Sequence, residues 1–443
     1  MTKHRKICIF AALYANLMQR KPFQQFFKSE LVRNSGKLLS ANVIAQIVGL
    51  LVYPFLARIY TQTDFGVFNL FMSIAGILLT ISTAQYQFAI PLCKEEKDSV
   101  AVFHVGLFTL VITVAVSCIF LPFSKQIAGL FKTPELARFL WLIPIYVLCC
   151  GIWQITNYWY TRLKHFRAIS GYQVSQSVLS AAGKLGLGYV PYSGGLIYGG
   201  VIAPFLSATS NYIVHRHIMT PLFQFDKKRC KVVARQYRNL PLFSLPRNLV
   251  YSLSNSLPVL MLVAAFGLQQ VGIWGMAVTL AFTPITVICN SLYQVFFQKI
   301  SERVNNRQSI ASILRRYWIY AVAITALLFV PLYFFLPALT SWLLGGVWEM
   351  TGYYIRWMLP WLLLVVLTSP HSYLSDVFFK QKIEFVYEVI LIALRFATLY
   401  IGIHYNNFIL AIAGYCMVSF IVRAGILCWY ILIVREYEKS IEE

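Results

Sequence analysis

The sequence predicts an all-α integral membrane protein with about twelve transmembrane helices in two pseudo-symmetric six-helix bundles, both termini cytoplasmic. Three observations predict it. Apolar stretches recur along a chain of 443 residues that is 58% hydrophobic and 12% charged. Each stretch supplies the roughly 20 residues of helix that a hydrocarbon core of about 30 Å requires. The Lys and Arg residues between them fall almost wholly on alternate connections. The two halves also share a faint self-similarity, with Gly66 answering to Gly272 at an offset of 206 positions (272 − 66).

In chain order, residues 1–36 form the first element, a cytoplasmic interfacial arm. Lys3-His4-Arg5-Lys6 leads into the apolar run 7–18 and then into Gln19-Arg20-Lys21 and a second basic amphipathic run. No small-residue cleavage site follows, so a surface-lying helix is expected, with Met18 an alternative start. The first bundle, 37–215, holds spans at approximately 38–57, 66–90, 99–121, 137–159, 168–189 and 194–214. A basic cytoplasmic linker, 216–240, is the longest connection, and no connection is long enough for a soluble domain. The second bundle, 241–434, holds spans at about 241–266, 271–297, 317–339, 356–378, 384–404 and 407–434, before a cytoplasmic tail at 435–443.

Charge orients the chain. Lys94, Lys97, Arg162, Lys164, Arg167, the linker cations, Lys299, Arg303, Arg307, Arg315, Arg316, Lys380 and Lys382 share one side, against Arg58, Lys125 and Lys132 on the other. The basic side is the cytoplasmic one. The net charge of +22 follows from that orientation and from attraction to anionic lipids of the inner leaflet, so no nucleic acid partner is expected. The nine cysteines show no CxxC spacing and read as small apolar helix residues. Trp153, Tyr158, Trp159, Tyr160 and Tyr172 flank an inner loop and read as a membrane-interface belt, with a sugar-stacking platform as the alternative.

The duplication implies two parallel repeats related by an axis along the membrane normal. A lumen would lie between them, and rocking of the bundles would give alternating access. Ionisable residues inside spans are costly and call for a partner, a cavity or a function. Lys184, Arg247, Arg356, Arg395 and Arg423 qualify, against the acids Asp376, Glu388 and Glu349, so the embedded surplus is positive. Lys184 and Arg247 are expected to line the lumen. Lys184 has the small neighbours Ala181-Ala182-Gly183, and Arg247 begins a polar stripe with Asn248, Ser252 and Asn255. Either cation can alternatively snorkel to an interface. Arg395 is open between an interhelical pair and a substrate contact, and Arg58 between an anchor partnered by Asp64 and a functional role. Asn42, Gln46, Gln85, Gln87, Gln154, Asn157 and Asn290 suit sugar hydroxyls or interhelical hydrogen bonds equally. Glu388 and Asp376 are the candidate coupling acids.

Several runs carry a family resemblance. Ser35-Gly36-Lys37-Leu38-Leu39, Leu56-Ala57-Arg58-Ile59-Tyr60 and Asp64-Phe65-Gly66-Val67-Phe68 resemble the N-terminal signature of the polysaccharide-exporter branch of the multidrug/oligosaccharidyl-lipid/polysaccharide superfamily. Tyr237-Arg238-Asn239-Leu240-Pro241, Ser256-Leu257-Pro258, Val271-Gly272-Ile273-Trp274 and Gln294-Val295-Phe296-Phe297 resemble its second-half segments. The resemblance spans nearly all of the chain beyond residue 34. It implies a Wzx-type flippase that moves an undecaprenyl-pyrophosphate-linked oligosaccharide, such as an O-antigen or related surface polysaccharide unit, across the bacterial cytoplasmic membrane. A polysaccharide polymerase and other assembly proteins would be its partners. A multidrug extruder of the same superfamily is the rival. The embedded positive charge favours a pyrophosphate over a cationic drug. No bound cofactor is expected, and coupling is open between a proton gradient, a sodium gradient and none. His371 and Asp376 have an H-x4-D spacing, but they sit at the end of an apolar span without further catalytic blocks, and no enzyme is expected.

Overall fold

Helix punctuation decides where each apolar stretch starts and stops. The computed structural model describes residues 30–189, 194–378 and 380–442, with side chains from residue 43 onward apart from positions 294, 298 and 442. The first half comprises α1 (Glu30–Ile59), α2 (Gln62–Ser82), α3 (Glu96–Ile119), α4 (Leu142–Arg162), α5 (Phe166–Gly186) and α6 (Gly195–Met219). One helical run, Leu245–Asn305, follows and is broken at Gly267, where φ is 83° and ψ 172°. Only glycine adopts that conformation without strain. It separates α7 (245–266) from α8 (268–305). The remainder is α9 (Ala311–Leu344), α10 (Glu349–Thr368), α11 (Gln381–His404) and α12 (Phe408–Glu442).

Among the described residues, seven helical runs, Leu240–Asn305 counted as one, are long and apolar enough to cross a membrane. Large apolar side chains such as Phe108, Ile119, Leu327, Val330 and Phe334 stand exposed along them, which suits a bilayer and not water. The chain is an all-helical, multi-pass membrane protein.

Several ends differ from the sequence expectation. The second span was expected to reach residue 90, yet α2 stops at Ser82. There Ala84 and Gln85 take left-handed φ values of 45° and 64°, and Tyr86–Leu92 fold back as a 3-10 turn. The tenth span was expected to run to 378, yet α10 ends at Thr368 and gives way to the turn Ser369–His371 and the short helix Tyr373–Val377. Pro370, which lacks an N–H donor, stands in that turn. Residues 1–29 of the expected arm lie outside the described residues, and α1 already begins at Glu30. The expected tail is the last turns of α12, and there the Glu438 carboxylate accepts from the Ile310 and Ala311 N–H groups at 2.7 and 2.8 Å. Such an acid at the start of α9 stabilises it by about 1 kcal/mol.

The halves meet through glycine. A Cβ on Gly66 of α2 would lie 2.1 Å from the Leu268 carbonyl oxygen, and one on Gly272 of α8 would lie 1.8 Å from the Gln62 carbonyl oxygen. The two glycines that match at the repeat offset thus face each other's helix, and their missing side chains let the backbones touch. The linker forms a helix, Lys227–Gln236, that docks on the start of α3. Arg229 bridges Glu95 and Asp98 at 3.1 and 3.0 Å, and Tyr86 donates to the Ala234 carbonyl at 3.2 Å. Lys227, Lys228, Lys231 and Arg235 remain exposed on its far face.

The aromatic residues expected in an interface belt pack inward instead. Trp159, Tyr160 and Tyr172 are buried. Trp153 stacks on Tyr172 at 3.4 Å, Trp159 donates to the Ile218 carbonyl, and Tyr160 donates to Asn211. Their spacing places them on the α4 and α5 faces that close the first half.

Candidate functional site

A cleft of about 300 Å³ with polar groups along its α5 wall runs between α1 and α5. On α5, Gln173, Gln176, Ser180 and Lys184 recur at intervals of three and four and so share one face. On α1, Gln46, Gly49, Tyr53 and Leu56 do the same and form the opposite wall. Ser177 donates to the Ala45 carbonyl at 2.5 Å and ties the walls together. The Gln173 Oε1 atom is buried without a hydrogen-bond partner among the described residues. The lining contains one cation and no carboxylate.

Lys184 sits in the last turn of α5. Its Nζ lies 4.7 Å from the centre of the Phe68 ring on α2, and its Cε passes within 3.9 Å of the space above Gly200 on α6. Gly183 and Gly199 let α5 and α6 approach closely, since a Cβ on Gly199 would be 2.6 Å from the Lys184 backbone nitrogen. None of the ion pairs among the described residues involves Lys184. The ammonium is therefore directed inward over an aromatic face, held by its quadrupole and not by an acid.

This end of the cleft is shut. Tyr60 donates to the Lys184 carbonyl at 2.6 Å. Trp348, fully buried, donates to the Ala57 carbonyl at 2.9 Å and packs edge-on against Phe65. Gln62 reaches the Val347 carbonyl and accepts from Gln269 at 2.8 Å. These contacts join the first and second halves across the 1–2, 7–8 and 9–10 connections. At the basic end the second half has an apolar cluster of its own, including Ile310, Leu314, Tyr373 and Ile433, apart from the core that runs through both halves.

Arg247, expected beside Lys184, is elsewhere. It is exposed in the first turn of α7. Its neighbour Asn248 donates to Gln85 at 2.9 Å, just past the end of α2, whereas Lys184 faces Phe68 near its start. At about 1.5 Å of rise per residue these levels are roughly 20–25 Å apart. Gln85 and Gln87, suited in principle to sugars, are buried in the turn that ends α2, where Gln85 donates to the Thr80 carbonyl. Asn248 is thus a strut between the halves. Arg58 is exposed, and none of the ion pairs among the described residues involves it. Its expected partner Asp64 instead completes a capping box with Thr61 at the start of α2. The Asn42 side chain lies outside the described residues.

In the second half, Arg395 is 3% exposed. It donates to Ser419 at 3.0 Å and Ser254 at 2.9 Å, and its guanidinium lies 4.4 Å from the Tyr415 ring centre and 5.2 Å from that of Trp361. Four helices, α7, α10, α11 and α12, converge on one cation, which acts as an interhelical tie. Arg395→Ala is expected to destabilise the fold by about 2–4 kcal/mol through lost packing and charged hydrogen bonds. A lowered unfolding temperature in detergent would show this. An unchanged unfolding temperature with impaired transport would make Arg395 a substrate contact. Glu388 pairs with Arg423 at 3.7 Å, and Asp376 is exposed and accepts from Gln381. The H-x4-D pair does not meet either. His371 is fully buried against Phe296, Tyr317 and Trp318, and its Nδ1 faces the Tyr373 hydroxyl at 3.1 Å.

Gln173, Gln176, Ser180 and the Trp348 plug were not singled out from sequence. The three-four spacing that ends on Lys184 was a visible signal for the first three. Nothing local marks Trp348, because its partners lie about 290 positions away (348 − 57).

The architecture recurs in solved structures. A lipid II flippase, MurJ, in an inward closed conformation is 16% identical, with a TM-score of 0.69 over 91% of this chain and 90% of that one. A multidrug resistance MATE family transporter of the MOP superfamily, inward-facing, is 16% identical, with a TM-score of 0.57 over 91% and 95%. A MOP superfamily transporter from Pyrococcus furiosus, described as having a binding pocket of reversed polarity, is 13% identical, with a TM-score of 0.53 over 92% and 96%. At these identities the likeness is one of fold. No curated protein matches the chain. In sequence, the family model described as polysaccharide biosynthesis protein matches residues 55–350, about two thirds of the length, and the chain belongs to that family.

Proposed function

We propose that the protein is a flippase that carries an undecaprenyl-pyrophosphate-linked oligosaccharide from the inner to the outer face of a bacterial cytoplasmic membrane. One observation carries this reading. The cleft offers the amides of three glutamines and the hydroxyls of Tyr53, Ser177 and Ser180 with a single cation and no carboxylate, the chemistry of an anionic, hydroxyl-rich substrate. A pocket for cationic drugs would place carboxylates there. Family membership in polysaccharide biosynthesis and the fold shared with a lipid II flippase support the same substrate class.

In this reading the basic connections are cytoplasmic, and the two bundles, 37–215 and 241–434, rock about the glycine contact of α2 and α8. The seal at Trp348 closes the outer face while the inner side admits substrate. An inside-negative potential favours outward movement of a pyrophosphate by roughly 2.3 kcal/mol per unneutralised charge per 100 mV. Reporter-enzyme fusions test the orientation. Alkaline phosphatase joined after Asn406 should be active and after Arg229 inactive, and the reverse pattern would invert the assignment.

The function itself is tested by reconstitution. In proteoliposomes, a fluorescent polyprenyl-pyrophosphate-linked saccharide should exchange between leaflets faster than in protein-free vesicles. Extrusion of a cationic dye without lipid exchange would establish the drug-transporter reading instead.

A further inference from the structure

The cleft is graded along its length. Gln46, Gln173 and Gln176 present neutral amides, Ser180 follows, and Lys184 ends the series where Tyr60 and Trp348 shut the passage. We infer that Lys184 receives a carboxylate borne by a sugar of the glycan, so that the cleft selects oligosaccharides containing an acidic sugar. This rests on the flippase reading and specifies the substrate within it.

The reason is positional. A polyprenyl tail stays in the bilayer, so its pyrophosphate is confined near a headgroup layer while the glycan extends into the protein. With the Lys184 end closed, substrate arrives from the basic end, where Arg247 stands exposed beside Asn248 and Gln85. A pyrophosphate at that level is roughly 20–25 Å from Lys184, taken along α2. What reaches Lys184 is the far part of the glycan.

The surroundings of Lys184 favour an anion over a neutral hydroxyl. Its ammonium rests on the Phe68 ring at 4.7 Å, and the nearby Asp64 carboxylate is engaged by the Thr61 backbone and side chain at 2.9 and 2.8 Å. An incoming carboxylate therefore displaces no protein acid, and it gains a charge-assisted hydrogen bond in a site partly withdrawn from water. The amides of Gln46, Gln173 and Gln176 in the same lining suit hydroxyls of the preceding sugars.

The test measures binding to the purified full-length protein in nanodiscs. The probes are two polyprenyl-pyrophosphate-linked linear pentasaccharides, long enough to reach from the pyrophosphate to Lys184, that differ only in a terminal glucose or glucuronate, and the sugar-free polyprenyl pyrophosphate. The glucuronate lipid should bind about tenfold more tightly than the glucose lipid. Lys184→Gln should bring that ratio close to one, and Lys184→Arg should preserve most of it, which also shows that the fold survives substitution. A wild-type ratio near one overturns the inference. So does a Lys184→Gln variant that weakens all three lipids by the same factor, since Lys184 would then hold the pyrophosphate. If neither glycolipid binds more tightly than the sugar-free lipid, the flippase reading fails as well.

Discussion

Lys184→Glu is expected to abolish glycan export while the protein remains inserted and abundant. The side chain enters a cleft without carboxylates, so the substitution removes the lining's one cation and sets an anion against an anionic substrate. Losing one charge-assisted contact, worth about 1.5–3 kcal/mol, corresponds to a roughly ten- to hundredfold reduction for Lys184→Ala. Glutamate adds repulsion to that loss and should fall below alanine. Lys184→Arg should retain part of the activity, although the longer planar guanidinium cannot sit over Phe68 in the same way. Surface glycan measured against membrane protein level across the series decides the matter. Normal export by both the alanine and glutamate variants would make Lys184 a packing residue and remove the electrostatic basis of the proposed function.

Gly272→Leu is expected to stop transport by a different route, through the contact on which the halves meet. Even a Cβ at Gly272 would lie 1.8 Å from the Gln62 carbonyl oxygen, and backbone cannot yield as a side-chain tip does. The helices must separate, at a cost at or above the 1–3 kcal/mol typical of overpacking. Gly76→Ala on the same α2 is the control, because a Cβ there meets nothing within 4 Å. The leucine variant should show a lower unfolding temperature in detergent and no export, with the alanine control close to the parent protein. A Gly272→Leu variant with parental stability and flux would show that the α2–α8 contact is not a fixed pivot.

Gly66 and Gly272 were legible as glycines in similar short segments, and in the structure each meets the backbone of the other's helix. Lys184 was legible as a cation inside an apolar stretch with small neighbours. Its role as the end of a graded wall was not, because that depends on which face of α5 turns toward α1. Arg247 carried the same kind of local signal and ended up exposed at the opposite end of α2. A residue's position along a span gives its depth only to within a few turns.

By itself the sequence determined the all-helical class and the apolar stretches that make the chain a multi-pass membrane protein. These follow from hydropathy, spacing and composition, which are local properties of the chain. Tertiary structure alone decided which polar groups share a space. It placed Gln173, Gln176 and Ser180 in a cleft with Lys184, enclosed Arg395 between two serines and two rings, turned Gln85 and Gln87 into a helix terminus, and used Trp348 to seal α1. Each outcome depends on rotation of one helix against another. In a bilayer that rotation is set by close packing and interhelical hydrogen bonds, because the lipid solvates every apolar face about equally well.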